Sequence, residues 1–338
     1  MDLNTTWFLL VGVLIIGYAI LDGFDLGVGV LHLFAKSNDE RRIHLNAIGP
    51  VWDGNEVWLL TAGGALFAAF PIVYARVFSA FYLALMLLLT ALIFRAVSME
   101  FRGKVDSPKW RRVWDWAFGL GSLLPAVLFG VAVGNILRGI PLDASRQFTG
   151  SFLGLLNPYA ILIGLLSLVM CVMHGATYMT LKTGGELQTR MRGWASRGWL
   201  AFVVLYGLAT LATKSVAPWH FAGLAKNPLF WALLPLMLAA VWYFNTALKK
   251  GKYFPAFLAS SAMIATMIGL AALSMFPLLA PSSIDLANSL TIYNAASTPR
   301  TQMVMLVIAL VGMPIVIGYT AFIYTRFKGK VVIGEESY

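Results

Sequence analysis

Charge is scarce in this sequence. Only 12% of its 338 residues are Asp, Glu, Lys or Arg, while 59% are hydrophobic. Soluble domains carry roughly 25% charged residues, so this chain cannot dress a water-facing surface. That excludes a soluble enzyme, a disordered chain and a disulfide scaffold. Cysteine is nearly absent: Cys171 stands alone in an apolar run, so no internal disulfide and no cysteine metal cluster can form. Histidine occurs four times and never at ligand spacing on one helix. The patterns His-x-x-x-His, Glu-x-x-His and Cys-x-x-Cys are missing, as are the phosphate-loop, nucleophile-elbow and dinucleotide fingerprints. A haem held between two histidines of this chain is therefore not expected, and His174, inside a span, reads as a hydrogen-bonded packing residue. The first six residues carry no Lys or Arg, and the apolar run after them is too long for a signal-peptide core, so it reads as a retained first span.

Long apolar runs are what the chain has. A spanning helix needs about 20 apolar residues to cross a hydrocarbon core about 30 Å thick. Nine runs qualify: 7–34, 47–70, 77–100, 114–137, 155–181, 198–217, 228–248, 255–279 and 302–326. Runs of this length close their backbone hydrogen bonds as helices. The predicted fold is an all-α polytopic membrane protein, a single integral membrane domain over residues 1–338.

The net charge of +10 does not mark a nucleic-acid surface, because the cations sit in short connections between apolar runs. Eighteen of the 25 Lys and Arg fall in the odd-numbered connections and the C-terminal tail, six fall in the even ones, and Arg95 lies inside a span. By the positive-inside rule the odd connections and C-terminus are cytoplasmic and the N-terminus is outside. Most of the 11 tryptophans lie near predicted span ends, as an aromatic belt does; Trp52 and Trp58 lie within the second span. A weak repeat relates Val11-Gly12-Val13-Leu14 before Asp22-Gly23 to Ile163-Gly164-Leu165-Leu166 before His174-Gly175. It suggests two four-helix units plus one further helix.

Ionised groups inside a span cost about 2.5–3.5 kcal/mol each on translocon scales. Asp22, Asp25, Asp53 and Glu56 lie inside apolar runs, and Glu100 lies at a span end; all five belong to the first three spans. The predicted topology puts them in the cytoplasmic half of the membrane, with Arg95. Asp22/Asp25 and Asp53/Glu56 are i, i+3 pairs on one helix face each, and Glu100/Lys104 is an i, i+4 pair. Two carboxylates so close cannot both ionise easily. A chain of such groups suits a proton path opening to the cytoplasm. The same acids would also suit a proton-coupled transporter, or a static scaffold in which Arg95 neutralises one of them and Glu56 and Glu100 serve as partners of Arg95 and Lys104.

The residues Asp22-Gly23-Phe24-Asp25-Leu26-Gly27-Val28-Gly29, Gly49-Pro50-Val51-Trp52-Asp53-Gly54-Asn55-Glu56-Val57-Trp58-Leu59, Thr61 to Pro71, Phe94-Arg95, Trp114-Asp115-Trp116, Gly134-Asn135, Asn157-Pro158 and His174-Gly175 form a combined pattern. It resembles subunit II of the cytochrome bd-type quinol oxidases. The resemblance implies two four-helix bundles plus one peripheral helix, in a multi-pass protein of the bacterial inner membrane. It implies a haem-binding partner, subunit I, carrying two haems b and one haem d, with a small single-span accessory subunit in some complexes. The complex oxidises quinol, reduces oxygen to water and takes the protons from the cytoplasm. Some family members hold a quinone on subunit II in a structural role. Asp25 and Asp53 match acids of a cytoplasmic proton route in that family. Glu100 stands where relatives can carry Asp, Lys104 follows it, and Glu56 stands where some members carry Gln. Trp58 matches a tryptophan at the mouth of an oxygen channel.

Overall fold

The computed structural model describes residues 2–334. Eleven α-helices follow in order: α1 (Leu3–His32), α2 (Asn38–Ile48), α3 (Trp52–Ala69), α4 (Pro71–Ala80), α5 (Tyr82–Phe101), α6 (Pro108–Arg138), α7 (Pro158–Lys182), α8 (Gly185–Val216), α9 (Pro228–Lys249), α10 (Tyr253–Met275) and α11 (Pro299–Arg326). Eight of them are long and apolar enough to cross a membrane. The exception among the nine predicted spans is α3, whose 18 residues carry Asp53, Asn55 and Glu56 in the first turns. These polar groups lower its hydropathy, and they are also the candidate site.

Several boundaries depart from the sequence reading. The predicted span 47–70 starts at Trp52, because Pro50 has no N–H to extend a helix through 49–51. Residues 38–48 instead form α2, capped by Ser37, whose hydroxyl accepts from Glu40 N at 3.2 Å. Pro71 is not a loop residue. It opens α4, where its missing N–H would have no helical partner anyway. Only Phe81 separates α4 from α5. The predicted cytoplasmic loop before residue 198 is helical from Gly185, and Leu187, Met191 and Ala195 bury one face at a four-residue interval.

Helix α1 packs on α3 and α6, and α5 packs on α6; likewise α7 packs on α8 and α10, and α9 packs on α10. The same pattern thus occurs twice, in the register of the weak sequence repeat. The two sets meet where α1 and α6 pack on α7. A Cβ on Gly27 would fall against the Cys171 carbonyl, and one on Gly175 would fall on the Gly27–Val28 backbone. His174 links the same crossing, with Nε2 3.0 Å from Ile20 O and Nδ1 2.7 Å from Ser260 Oγ on α10. Helix α11 lies outside both sets and touches α1 and α3.

Gly175→Ala should therefore lower the melting temperature of the assembled protein, by an overpacking cost of about 1–3 kcal/mol. Gly207→Ala, on an exposed face of α8 with nothing near its Cβ, should leave it unchanged or raise it. Differential scanning fluorimetry on the two variants gives the comparison, and equal effects would mean the crossing has slack.

At the opposite end from α2, the two longest connections lock together. Ile140 N donates to Pro281 O and Ser283 N to Ile140 O, both at 3.0 Å, and Ser282 Oγ donates to Leu142 O at 2.9 Å. Strand β1 (Leu278–Ala280) pairs antiparallel with β2 (Leu290–Thr291). Ile140, Leu142, Leu290 and Ile292 bury a second core here with Trp7 and Phe70.

Candidate functional site

Helix α1 carries two carboxylates at full burial. Asp22 is held by a forked ion pair from Arg95 on α5: Nη2 lies 2.6 Å from Oδ1 and Nη1 3.2 Å from Oδ2. Tyr18, one turn earlier, donates its hydroxyl to Asp22 Oδ2 at 2.8 Å. Arg95 therefore pairs with Asp22 and not with Glu56, which corrects one of the sequence-based alternatives. The choice is geometric: α5 and α1 both border α6, and Gly121 of α6 has no Cβ to collide with the Ala91 and Arg95 backbone of α5.

Asp25 has a different setting. Its Oδ2 accepts from Asn55 Nδ2 at 2.7 Å, and its Oδ1 is buried with no hydrogen-bond partner. Asn55 also donates to Leu21 O at 3.3 Å and accepts from the Tyr324 hydroxyl at 2.9 Å. Residues from α1, α3 and α11 thus form one chain: Tyr324, Asn55, Asp25. Two carboxylates three residues apart are sorted by this arrangement. One is fixed by a cation; the other keeps an oxygen uncommitted. Asn55 and Tyr324 were not singled out from the sequence. The signal for Asn55 was an amide between two acids in the first turns of a span; nothing marked Tyr324.

The remaining expected site residues lie nearer the surface. Asp53 is exposed in the first turn of α3, where the helix dipole favours an acid. Glu56, half-buried, is one turn further in, next in sequence to Asn55. Glu100 is exposed near the end of α5, and the helix stops at Phe101. Lys104 is therefore in the following turn, without the helical i, i+4 relation expected of the pair. Trp58 is half-buried with its ring against Gly17 of α1. Its neighbours Leu59 and Ala62 line an apolar cavity of about 760 Å³ between the two helix sets. Tyr18 lines it too, so the same residue touches the cavity and the Asp22–Arg95 pair.

A second polar cluster, unforeseen from sequence, lies beside α2. Asp115 receives His32 Nε2 at 2.7 Å and Arg102 Nε at 2.6 Å, with Arg41 Nε at 3.5 Å. Arg102 Nη2 donates to Asn38 Oδ1 at 2.7 Å. Asp115 stands at the edge of the predicted span 114–137, and its partners come from three separate segments. His44 packs 6.0 Å from His32, centroid to centroid, and neither of its ring nitrogens has a partner. Burial, with His32, Arg190 and Arg41 nearby, holds the His44 imidazole down to about 3. The unfolded chain then binds a proton between pH 6.5 and 3 that the folded chain refuses. Stability from this group is complete above pH 6.5 and is lost as pH falls, by about 2 kcal/mol at pH 5. Melting curves of the assembled protein should show that acid limb, and His44→Leu should flatten it.

No group of three metal-ligating side chains occurs among the described residues. Both ring nitrogens of His174 are engaged, as are those of His220, with Ser274 Oγ at 2.9 Å and Leu137 O at 2.7 Å. His32 holds Asp115 through Nε2, while its Nδ1 and both ring nitrogens of His44 have no partner.

The family model described as cytochrome bd terminal oxidase subunit II matches residues 3–327. Cytochrome bd-I ubiquinol oxidase subunit 2 of Escherichia coli (strain K12) is 40% identical, over 97% of this chain and 95% of its own length. Cytochrome bd ubiquinol oxidase subunit 2 of Bacillus subtilis (strain 168) is 39% identical, over 98% and 97%. Among solved structures, the bd oxidase of Geobacillus thermodenitrificans superposes with a TM-score of 0.79, at 18% identity, covering 97% of this chain and 99% of the matched one. That last likeness is one of fold.

Proposed function

Because this chain belongs to the cytochrome bd terminal oxidase subunit II family, we propose that, as subunit II of a bd-type quinol oxidase, it supports a haem-bearing subunit I and brings it cytoplasmic protons. The observation that carries the proton reading is the buried, uncommitted Oδ1 of Asp25, whose other oxygen accepts from Asn55, a residue within one turn of exposed Asp53 on α3. A proton taken up by the Asp53 carboxylate passes inward along α3 by Glu56 and rests on Asp25 Oδ1. Asn55 orients the receiving carboxyl through its other oxygen. Arg95 engages both oxygens of Asp22, so Asp25 is the acid of the pair left with a free oxygen. Glu100 and Lys104, exposed at the same end, collect protons at the entrance.

The chain acts as one integral membrane domain with nine spans, α3 included. Its N-terminus is outside and its C-terminus cytoplasmic, following the Lys and Arg distribution. The first helix set and its repeat form two four-helix bundles, with α11 peripheral. The location is the bacterial cytoplasmic membrane. When bound, the two haems b and the haem d of subunit I supply electron transfer and oxygen reduction; a small single-span subunit completes some such complexes. Oxygen, being apolar, partitions into the cavity beside Trp58, and the same apolar walls suit a quinone held structurally. Transporter function is disfavoured by the family and by the confinement of buried acids to the first helix set.

Purification in mild detergent should recover a larger polypeptide with b- and d-type signals in a reduced-minus-oxidised spectrum, and quinol-driven oxygen uptake. A haem-free preparation with no such partner would overturn the assignment.

A further inference from the structure

Three segments that the sequence keeps apart converge at the α2 end of the molecule. Asn38 opens α2, Arg41 lies one turn on, Arg102 follows α5, and Arg111 and Arg112 lie in the first turns of α6. Together with Asp115 they line a pocket of about 290 Å³. That volume far exceeds the ~30 Å³ share of one water.

Its charges do not balance. Four guanidinium groups face one carboxylate among the lining residues. Asp115 is already shared by Arg102, Arg41 and His32. Arg111 pairs with Asp106 at 2.7 Å, but Asp106 is 94% exposed, and such a pair offsets little charge. The Arg112 side chain has no hydrogen bond or ion pair among the described residues. Arg102 and Asp115 form the buried floor of the recess, Arg41 and Arg111 are half-buried on its walls, and Arg112 is exposed at its rim. Packing four cations around one void is stabilised by an anion inside it. Guanidinium forks match the oxygens of a phosphate in particular.

The surroundings indicate where the phosphate comes from. Below Arg112, α6 exposes Val113, Trp116, Leu120 and Leu124. Their spacing puts them on one stripe running away from the pocket along the apolar helix. Trp110, beside the pocket, donates Nε1 to Phe101 O at 2.7 Å, an arrangement suited to the membrane interface. A phosphate in the pocket with acyl chains on that stripe would satisfy both features.

We propose that the pocket formed by Arg41, Arg102, Arg111 and Arg112 binds a phosphate group, presented by an anionic phospholipid of the membrane leaflet on that side. A soluble phosphate has the same chemistry, and the test separates the two sources.

The whole oxidase complex, purified with its partner, is placed in nanodiscs of phosphatidylglycerol mixed with phosphatidylcholine, and retained lipid is counted by native mass spectrometry. Arg111→Gln and Arg112→Gln are the variants, because Arg41 and Arg102 hold Asp115 and their loss could disturb folding. Each should reduce phosphatidylglycerol retention about fivefold, the effect of one interfacial cation. Lys250→Gln, a basic residue on another connection at the same end, should not. The haem spectrum confirms that every variant assembles. In nanodiscs of phosphatidylcholine alone, saturable binding of radiolabelled inorganic phosphate that disappears in Arg112→Gln, without selective lipid retention, assigns the pocket to soluble phosphate and supports the anion site. If neither probe binds saturably, or if Arg111→Gln and Arg112→Gln each bind both as the parent does, the proposal is overturned.

Discussion

Arg95→Met should prevent the complex from accumulating. The side chain is fully buried and forms the only ion pair of Asp22 among the described residues. Removing one member of a buried pair leaves the other charge uncompensated, at a cost of about 3–5 kcal/mol. That is a large share of the 5–15 kcal/mol by which folded domains are typically stable. It falls, moreover, where α1 already carries a second buried carboxylate, Asp25, one turn on. The companion variant decides the cause. In Asp22→Asn/Arg95→Met the charge and its counter-charge leave together, and well-packed neutral replacements of buried pairs are often no less stable. Yield of assembled, haem-containing complex by size-exclusion chromatography should collapse in the single variant and recover in the double. Failure of the double variant to recover would show that Arg95 holds α5 by packing and not by charge. Arg95→Lys should fall between, since an ammonium keeps the charge but cannot fork across both Asp22 oxygens.

The sequence made the helices legible because apolar runs of spanning length have one solution in lipid. It also located the acids, since a carboxylate inside such a run is conspicuous by its cost. The pairing was not legible. Whether Arg95 meets Asp22 or Glu56 depends on how α5 lies relative to α1, and spacing along one helix says nothing about that. Tyr324 illustrates the same limit: it reaches Asn55 from 269 residues away. Asp115 was undervalued for a related reason. An acid at a span edge looks solvated until the end of α1 brings His32 against it and α2 folds back with Arg41. Helix α2 was itself missed as a separate element because its apolar positions 45, 47 and 48 run directly into those of α3. The glycine repeat at 12/23 and 164/175 was legible, and its meaning became concrete only where Gly27 and Gly175 bring two backbones into contact.

Asp25→Asn should separate proton delivery from assembly. The substitution keeps the shape of the side chain, and the amide oxygen can still accept from Asn55 Nδ2. It removes the only property that the proposed route requires, the capacity to take and release a proton at Oδ1. No buried ion pair is broken, because Arg95 remains with Asp22. Assembly, haem spectrum and melting temperature should therefore stay close to those of the parent. Quinol-driven oxygen uptake should fall by about a hundredfold or more, the range in which a positioned proton-transfer group contributes. Asp25→Glu should recover part of the rate, because a carboxylate returns with a longer arm. Asp53→Asn should slow uptake less than Asp25→Asn does, because Asp53 is exposed and water can substitute for an entrance group. The static-scaffold reading predicts the reverse ordering of effects: stability would fall in Asp25→Asn while turnover per haem stayed constant. Oxygen electrode rates normalised to haem, measured beside melting curves on the same preparations, distinguish the two directly. Normal turnover per haem in Asp25→Asn would remove this residue from the proton path, and with it the reason for its uncommitted oxygen.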